Sequence, residues 1–72
     1  MKIAYYPDTD SLYIDLSGRP SAESREVSPG VVLDFDVDGE IAGIDIDHAS
    51  QKLQFSELTL SKLPVDSHRI VA

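Results

Sequence analysis

The feature that most constrains the fold is a β-hairpin signal in the middle of the chain. The stretch Val31 to Ile46, VVLDFDVDGEIAGIDI, holds two apolar-rich runs joined at Asp38-Gly39. An Asp-Gly pair between alternating apolar residues is a strong hairpin signal. Gly39 can adopt the positive φ that a tight turn requires, and Asp38 is predicted to hydrogen-bond its own backbone across the turn. The chain is therefore expected to build an antiparallel sheet around this pair of strands.

Three segments upstream of this hairpin also have strand patterns. Lys2 to Tyr6 and Ser11 to Ser17 are predicted strands, separated by a turn over Pro7 to Asp10. Ala22 to Ser28 is mostly polar, so we predict a short edge strand that its charged residues protect. Alternation along the strands predicts one apolar face for the sheet. The residues assigned to that face are Ile3, Tyr5, Leu12, Ile14, Leu16, Val31, Leu33, Phe35, Ile44 and Ile46.

The two hairpins share a pattern when the sequence is shifted by thirty residues. The shift aligns Tyr5 with Phe35, Asp8 with Asp38, Asp10 with Glu40, Ile14 with Ile44, Asp15 with Asp45, and Leu16 with Ile46. Two units are too few to diagnose a repeat. One explanation is that the two hairpins arose by duplication. The other is that any two hairpins that pack into one core acquire the same pattern, and both explanations stay open.

The apolar face needs a cover, and the last third of the chain is left to supply it. His48 to Leu53 has the spacing of a short helix, with Asp47 placed to cap its start. After Gln54 the pattern fits helix and strand equally, so both stay open for residues 54–63. The apolar residues of this tail are Leu53, Phe55, Leu58, Leu60 and Leu63.

The predicted fold class is therefore α+β. We expect an antiparallel β-meander sheet of four or five strands, with a short C-terminal helix and the apolar tail covering one face. Residues 1–72 are expected to form a single small domain, because a chain of 72 residues has room for one core.

Composition limits the classes of function. The chain has no cysteine and a formal net charge of −7. Without cysteine it has no disulfide framework and no thiolate zinc site, which favours a reducing compartment. The negative charge opposes phosphate backbones and anionic membranes, so neither nucleic acid nor membrane is an expected partner. Because no apolar run is long enough for a signal peptide or a membrane span, the expected location is the cytoplasm.

The acidic stretches invite a metal-binding interpretation. Six residues fall at the positions of a calcium loop, namely Asp34, Asp36, Asp38, Gly39, Glu40 and Asp45. An EF-hand also needs an entering helix and a bidentate Glu at its last position, whereas here a strand pattern precedes the loop and the last position is Asp. Asp45 and Asp47 share a face from which His48 points away. No metal or cofactor site is therefore predicted.

An apolar patch is predicted on the side of the sheet away from the core. Tyr6 and Tyr13 are expected to lie there on adjacent strands, together with Val32 and Ile41. Such patches on small domains mark interfaces. The alternative is that the aromatic pair only stabilises the sheet. We assign these four residues as the candidate interaction face.

Three stretches of the sequence resemble a known family. In order they read MKIAYYPDTDSLYIDLS, EVSPGVVLDFDVDGEIAGIDI and HASQKL. They resemble a widespread family of short bacterial and archaeal proteins classed as a domain of unknown function, over residues 1–53. The resemblance implies a compact β-rich domain and transfers no activity, cofactor or catalytic residue. Genes of this family often lie beside genes for small toxin-like proteins, which implies an antitoxin-like role.

These observations favour a protein–protein interaction module. Its expected partner is a small basic toxin-like protein, bound by charge complementarity. The alternatives are a module that binds a cation or small ligand, and a structural homo-oligomer such as a homodimer. No serine lies in a nucleophile-elbow setting, so no catalytic residue is assigned and an enzyme is not expected.

Overall fold

The structure is a computed structural model that describes residues 1–54 and 70–71. Its elements are β1 (Lys2–Tyr6), β2 (Ser11–Asp15), β3 (Glu23–Ser28), β4 (Val31–Phe35), β5 (Ile41–Ile46), α1 (Ala49–Lys52) and β6 (Ile70–Val71). The first five strands pair antiparallel, and β6 pairs parallel with β1. The α+β class is thus confirmed. The predicted apolar tail from Phe55 onward, and the choice of helix or strand after Gln54, lie outside the described residues.

The strand order is β3-β4-β5-β2-β1-β6, which departs from the simple meander that the sequence predicts. The difference arises because β2 pairs with β5 and not with the next strand in the chain, β3. In that pairing Leu12 lies opposite Ile46 and Ile14 lies opposite Ile44, and such apolar cross-strand pairs stabilise the centre of a sheet. The polar strand β3 takes the edge, as predicted, where its charged side chains stay solvated.

One side of the sheet, here called the inner face, carries the apolar residues that alternation assigned to it. The register places Ile3 opposite Ile14 and Leu33 opposite Ile44. These four side chains are half-buried. In the described part of the chain, the buried apolar residues are small: Ala4, Ala42 and Ala49. Ala4 lies on the opposite side of the sheet, beside Tyr13. The inner face is therefore distinguished by its large, half-buried apolar side chains, as the alternation predicts.

An approximate two-fold axis relates the two hairpins β1–β2 and β4–β5. Adding thirty to the numbers of the pair Ile3 and Ile14 produces the pair Leu33 and Ile44, which is the corresponding pair of the second hairpin. The hairpins meet along β2 and β5, where Ile14 lies opposite its own counterpart, Ile44. The thirty-residue pattern in the sequence is thus matched by the symmetry of the sheet.

The turn of each hairpin is held by the connection that leaves the other hairpin. After β2, the Arg19 guanidinium reaches the β4–β5 turn, where it donates to Asp38 at 2.9 Å and forms an ion pair with Asp36 at 3.1 Å. After β5, Ser50 reaches the β1–β2 turn. Its backbone N–H and its hydroxyl donate to the Asp10 carboxylate at 3.1 and 2.7 Å. This exchange joins the two hairpins into one unit.

The start of α1 differs from the prediction that Asp47 caps it. The N-cap residue is His48, which lies in the left-handed region with φ 52°. The Asp47 carboxylate accepts the His48 N–H at 3.0 Å. The N–H of Ser50, in the first turn of the helix, donates instead to the carboxylate of Asp10. The prediction was wrong because the cap comes from a distant turn. None of the described helices is long and apolar enough to cross a membrane.

Candidate interaction surface

The side of the sheet opposite the inner face is here called the outer face. Its residues are Lys2, Ala4 and Tyr6 of β1, Ser11, Tyr13 and Asp15 of β2, Ser24 and Glu26 of β3, Val32 and Asp34 of β4, and Gly43 and Asp45 of β5. Four of these residues are acidic and one is basic. The outer face therefore has an excess of negative charge.

Tyr13 lies across the centre of the outer face. It covers Gly43 of the adjacent strand so closely that a β-carbon at that position would overlap the Tyr13 hydroxyl. Beyond Gly43, the Tyr13 hydroxyl donates to one oxygen of Asp34 at 2.9 Å. The Ser24 hydroxyl donates to the other oxygen of the same carboxylate at 2.6 Å. One line of side chains thus connects the adjacent strands β2, β5, β4 and β3.

The surroundings of the Tyr13 hydroxyl raise its pKa to about 12. Burial is the largest cause, followed by the hydrogen bond to Asp34 and by the negative charges of Asp34, Asp15 and Asp45. Removing a proton would place a further negative charge among these carboxylates. Tyr13 therefore remains a hydrogen-bond donor throughout the physiological pH range.

Asp45 lies directly opposite both Tyr13 and Val32 in the register. Partial burial raises the pKa of its carboxyl group, and the charges of Asp34 and Asp47 raise it further. Within residues 1–54, no lysine or arginine forms an ion pair with Asp45 or Asp34. The outer face thus holds uncompensated carboxylates beside an aromatic ring, which is a favourable setting for a cation supplied by another molecule.

A comparison with protein families assigns the chain. The family described as "Protein of unknown function (DUF2283)" matches residues 2–50. The chain belongs to this family. The DUF2283 match agrees with the resemblance seen in the sequence, and it spans both hairpins and every residue of the outer face. No curated protein matches the chain, and no solved structure matches it.

The four residues of the predicted interaction face take different places in the DUF2283 domain. Tyr13 and Val32 lie on the outer face, and Tyr6 lies there at the end of β1 with 54% of its surface exposed. Ile41 is 43% exposed, but a bulge near the start of β5 pairs it with the inner-face residue Phe35. The bulge breaks the alternation on which the sequence interpretation relied, and it separates Ile41 from the other three residues.

Sequence reasoning did not recognise how Asp34, Ser24 and Gly43 shape this surface. A signal existed for Gly43, because an isolated glycine inside a strand pattern indicates the close approach of another group. The partnership of Asp34 with Ser24 and Tyr13 had no such signal, since it depends on which strands are neighbours.

The carboxylates at the calcium-loop positions have separate partners. Asp34 belongs to the outer face, whereas Asp36 lies 5% exposed in the β4–β5 turn. Asp36 accepts the backbone N–H groups of Asp38 and Glu40 at 2.9 and 3.0 Å. The side chain that organises the turn is therefore Asp36, not Asp38 as predicted. Among the residues that the structure describes, no group of three or more His, Asp or Glu side chains is arranged to hold a metal ion.

Proposed function

We propose that this domain is a protein–protein interaction module that binds a basic partner through the outer face of its sheet. The observation that carries the proposal is the pair of carboxylates Asp34 and Asp45, which have no ion-pair partner within the described residues. They lie on an open sheet face beside the ring of Tyr13. The role is one of binding, and no covalent chemistry is assigned to these groups.

Arginine is the side chain that fits this surface best. Its planar guanidinium can donate to a carboxylate through two N–H groups and can stack on an aromatic ring at the same time. Asp45 supplies the acceptor, and Tyr13 supplies the ring beside it. The net charge of −7 adds long-range attraction for a positively charged protein and speeds its encounter.

The biological form of this proposal is an antitoxin-like role. A small basic toxin-like protein has the charge that the outer face needs, and the family resemblance in the sequence points to such partners. Neutralisation would then follow from coverage of the basic surface of the partner by the acidic sheet.

The first test uses a defined probe, a short arginine–glycine peptide added to ¹⁵N-labelled protein and followed by NMR. We expect amide shifts at Tyr13, Val32 and Asp45. Asp45→Asn should weaken binding about two- to fivefold, in line with the energy of an exposed ion pair. The matched control is Asp8→Asn, which removes the same charge from an exposed position in the β1–β2 turn. Equal weakening in both variants would show that only net charge matters and would overturn the site.

The second test addresses the natural partner. Tagged wild-type protein, Asp45→Asn and Asp8→Asn are used as baits in the native host at low and moderate salt, with mass spectrometry of the eluates. We expect one small basic protein in stoichiometric amount, released as salt rises and reduced with the Asp45→Asn bait. Recovery of the bait alone from all three samples would count against the proposal.

A further inference from the structure

The strand β3 forms an open edge of the sheet. It is the last strand on its side of the order, and in the described part of the chain nothing pairs with its other side. All six residues from Glu23 to Ser28 are exposed. The backbone N–H and C=O groups that point away from β4 are therefore available to another strand.

The charges on this edge alternate in sign. Natural edge strands commonly carry charges that repel a second strand. Here Glu23 and Arg25 lie on the same face, opposite Phe35 and Leu33 of β4. A bulge between Glu26 and Ser28 ends the regular part of the strand. The usable edge is thus short, and its inner-face charges have opposite signs.

We propose that β3 pairs antiparallel with β3 of a second copy of this chain, with Ser24 at the centre of the pair. In this register Glu23 of each copy lies opposite Arg25 of the other, and Ser24 lies opposite Ser24. Centring the pair on Glu23, Arg25 or Glu26 would instead place identical charges directly opposite each other. Among the regular positions of β3, Ser24 alone makes the strand complementary to itself.

Two contacts hold the strand ready for this pairing. The Arg25 guanidinium lies over the Phe35 ring, 4.8 Å from its centroid. Stacking of this kind orders the side chain and leaves the N–H edge of the guanidinium free for a carboxylate. Ser24 is fixed by its bond to Asp34 at 2.6 Å. Less conformational freedom is therefore lost when the copies associate.

The pair would join the two sheets into one continuous sheet with both outer faces on the same side. This dimer is separate from the basic-partner proposal and leaves the outer face open. One strand pair buries less surface than a standard interface, and each copy carries a charge of −7. We therefore expect a weak dimer, with a Kd on the order of 10⁻⁴ M, that forms more readily at moderate salt than at very low salt because salt screens the repulsion.

The sharpest test is site-specific cross-linking, because the native chain has no cysteine. Ser24→Cys places two thiols opposite each other at about 5 Å between β-carbons, close enough for a disulfide after small adjustments. Glu26→Cys is the control, since its thiols would be displaced by four residues along the strand, about 13 Å. In a glutathione redox buffer we expect a covalent dimer from Ser24→Cys and little from Glu26→Cys. Equal yields, or no dimer from Ser24→Cys, would overturn the register.

A charge exchange tests the pairing without a covalent bond. Arg25→Glu and Glu23→Arg should each weaken self-association at least tenfold in sedimentation equilibrium, because each opposes like charges. A mixture of the two variants should associate, and the double variant E23R/R25E should recover the wild-type affinity. Failure of both the mixture and the double variant to associate would contradict the proposal, with circular dichroism confirming that each variant is folded.

Discussion

The hairpins β1–β2 and β4–β5 share one register, yet their turns are stabilised in different ways. In the second hairpin, the buried Asp36 binds backbone N–H groups within its own turn and is held by Arg19. In the first hairpin, Asp10 binds the Tyr5 hydroxyl at 2.7 Å and the start of α1 through Ser50. The register therefore depends on strand alternation, while each turn depends on a contact from the opposite half.

The connections that leave the two hairpins are also related. Gly18 follows β2 and His48 follows β5, thirty residues later, and both have positive φ, at 73° and 52°. Arg19, which follows Gly18, reaches one turn, and Ser50, two residues after His48, reaches the other. Glycine adopts this conformation without strain, whereas histidine does so at an energetic cost.

The symmetry ends at the centre of the outer face. Tyr13 and Gly43 are counterparts under the thirty-residue shift, and both lie on that face beside the axis. The space beside the axis accommodates one large side chain, so the ring of Tyr13 requires the absence of a side chain at Gly43. A nearly symmetric framework thus carries an asymmetric surface, and the candidate interaction site is on that surface.

The largest expected effect comes from breaking the buried turn. Asp36→Ala removes the acceptor of two backbone N–H groups and leaves Arg19 with Asp38 alone. We expect the free energy of unfolding, measured by urea unfolding, to fall by about 2–4 kcal/mol. That is most of the roughly 3–5 kcal/mol expected for a domain of this size. The exposed Asp38→Ala should lose no more than about 1 kcal/mol. Similar losses in both variants would contradict the assignment of Asp36 as the organiser.

The next effect concerns the centre of the outer face. Gly43→Ala should destabilise the domain by about 1–3 kcal/mol, because its β-carbon displaces the Tyr13 ring and lies 3.1 Å from the Ile14 carbonyl oxygen. Thermal unfolding monitored by circular dichroism checks this value. In a Tyr13→Ala background the same substitution should cost clearly less, since the overlapping ring is gone. An equal cost in both backgrounds would mean that the two residues are not coupled.

Alternation predicted the strands, the inner face and the polar edge strand, because these depend on local patterns. The pairing of β2 with β5 was not predictable in this way, since it depends on which apolar strands meet after folding. The choice of Asp38 over Asp36 has a different origin: both aspartates suit a turn, and the alternation pattern does not say which carboxylate accepts the N–H groups of the turn. Of the predicted interaction face, Tyr6, Tyr13 and Val32 share the outer face, while the bulge that pairs Ile41 with Phe35 left no pattern in the sequence. That these residues form an interaction site stays a prediction.

A smaller effect tests the equivalence of the two connections. His48→Gly places in the second connection the residue that occupies the same position in the first, Gly18. Relief of the left-handed strain should stabilise the domain by about 0.5 kcal/mol, after allowance for the greater freedom of glycine in the unfolded chain. The converse, Gly18→Ala, should destabilise it by about 1 kcal/mol. Thermal melting curves of the two variants and the wild type measure these changes. A His48→Gly variant less stable than wild type would show that the His48 side chain stabilises the domain by more than its backbone strain destabilises it.

The smallest effect distinguishes stability from binding at Asp45. The pKa of Asp45 is raised in the folded state, so ionisation of its carboxyl group opposes folding. The free energy of unfolding of the wild-type domain therefore falls as pH rises through the raised pKa. Asp45→Asn should therefore be more stable at pH 7 by about 0.2–0.5 kcal/mol, a small value because solvent screens the exposed group. The gain should vanish near pH 3, where the aspartate is protonated. If Asp45→Asn is more stable and also binds the arginine peptide less well, the Asp45 carboxylate lowers the stability of the domain but strengthens binding. That combination is expected for a residue whose role is to bind a partner. A less stable Asp45→Asn would instead assign Asp45 a structural role.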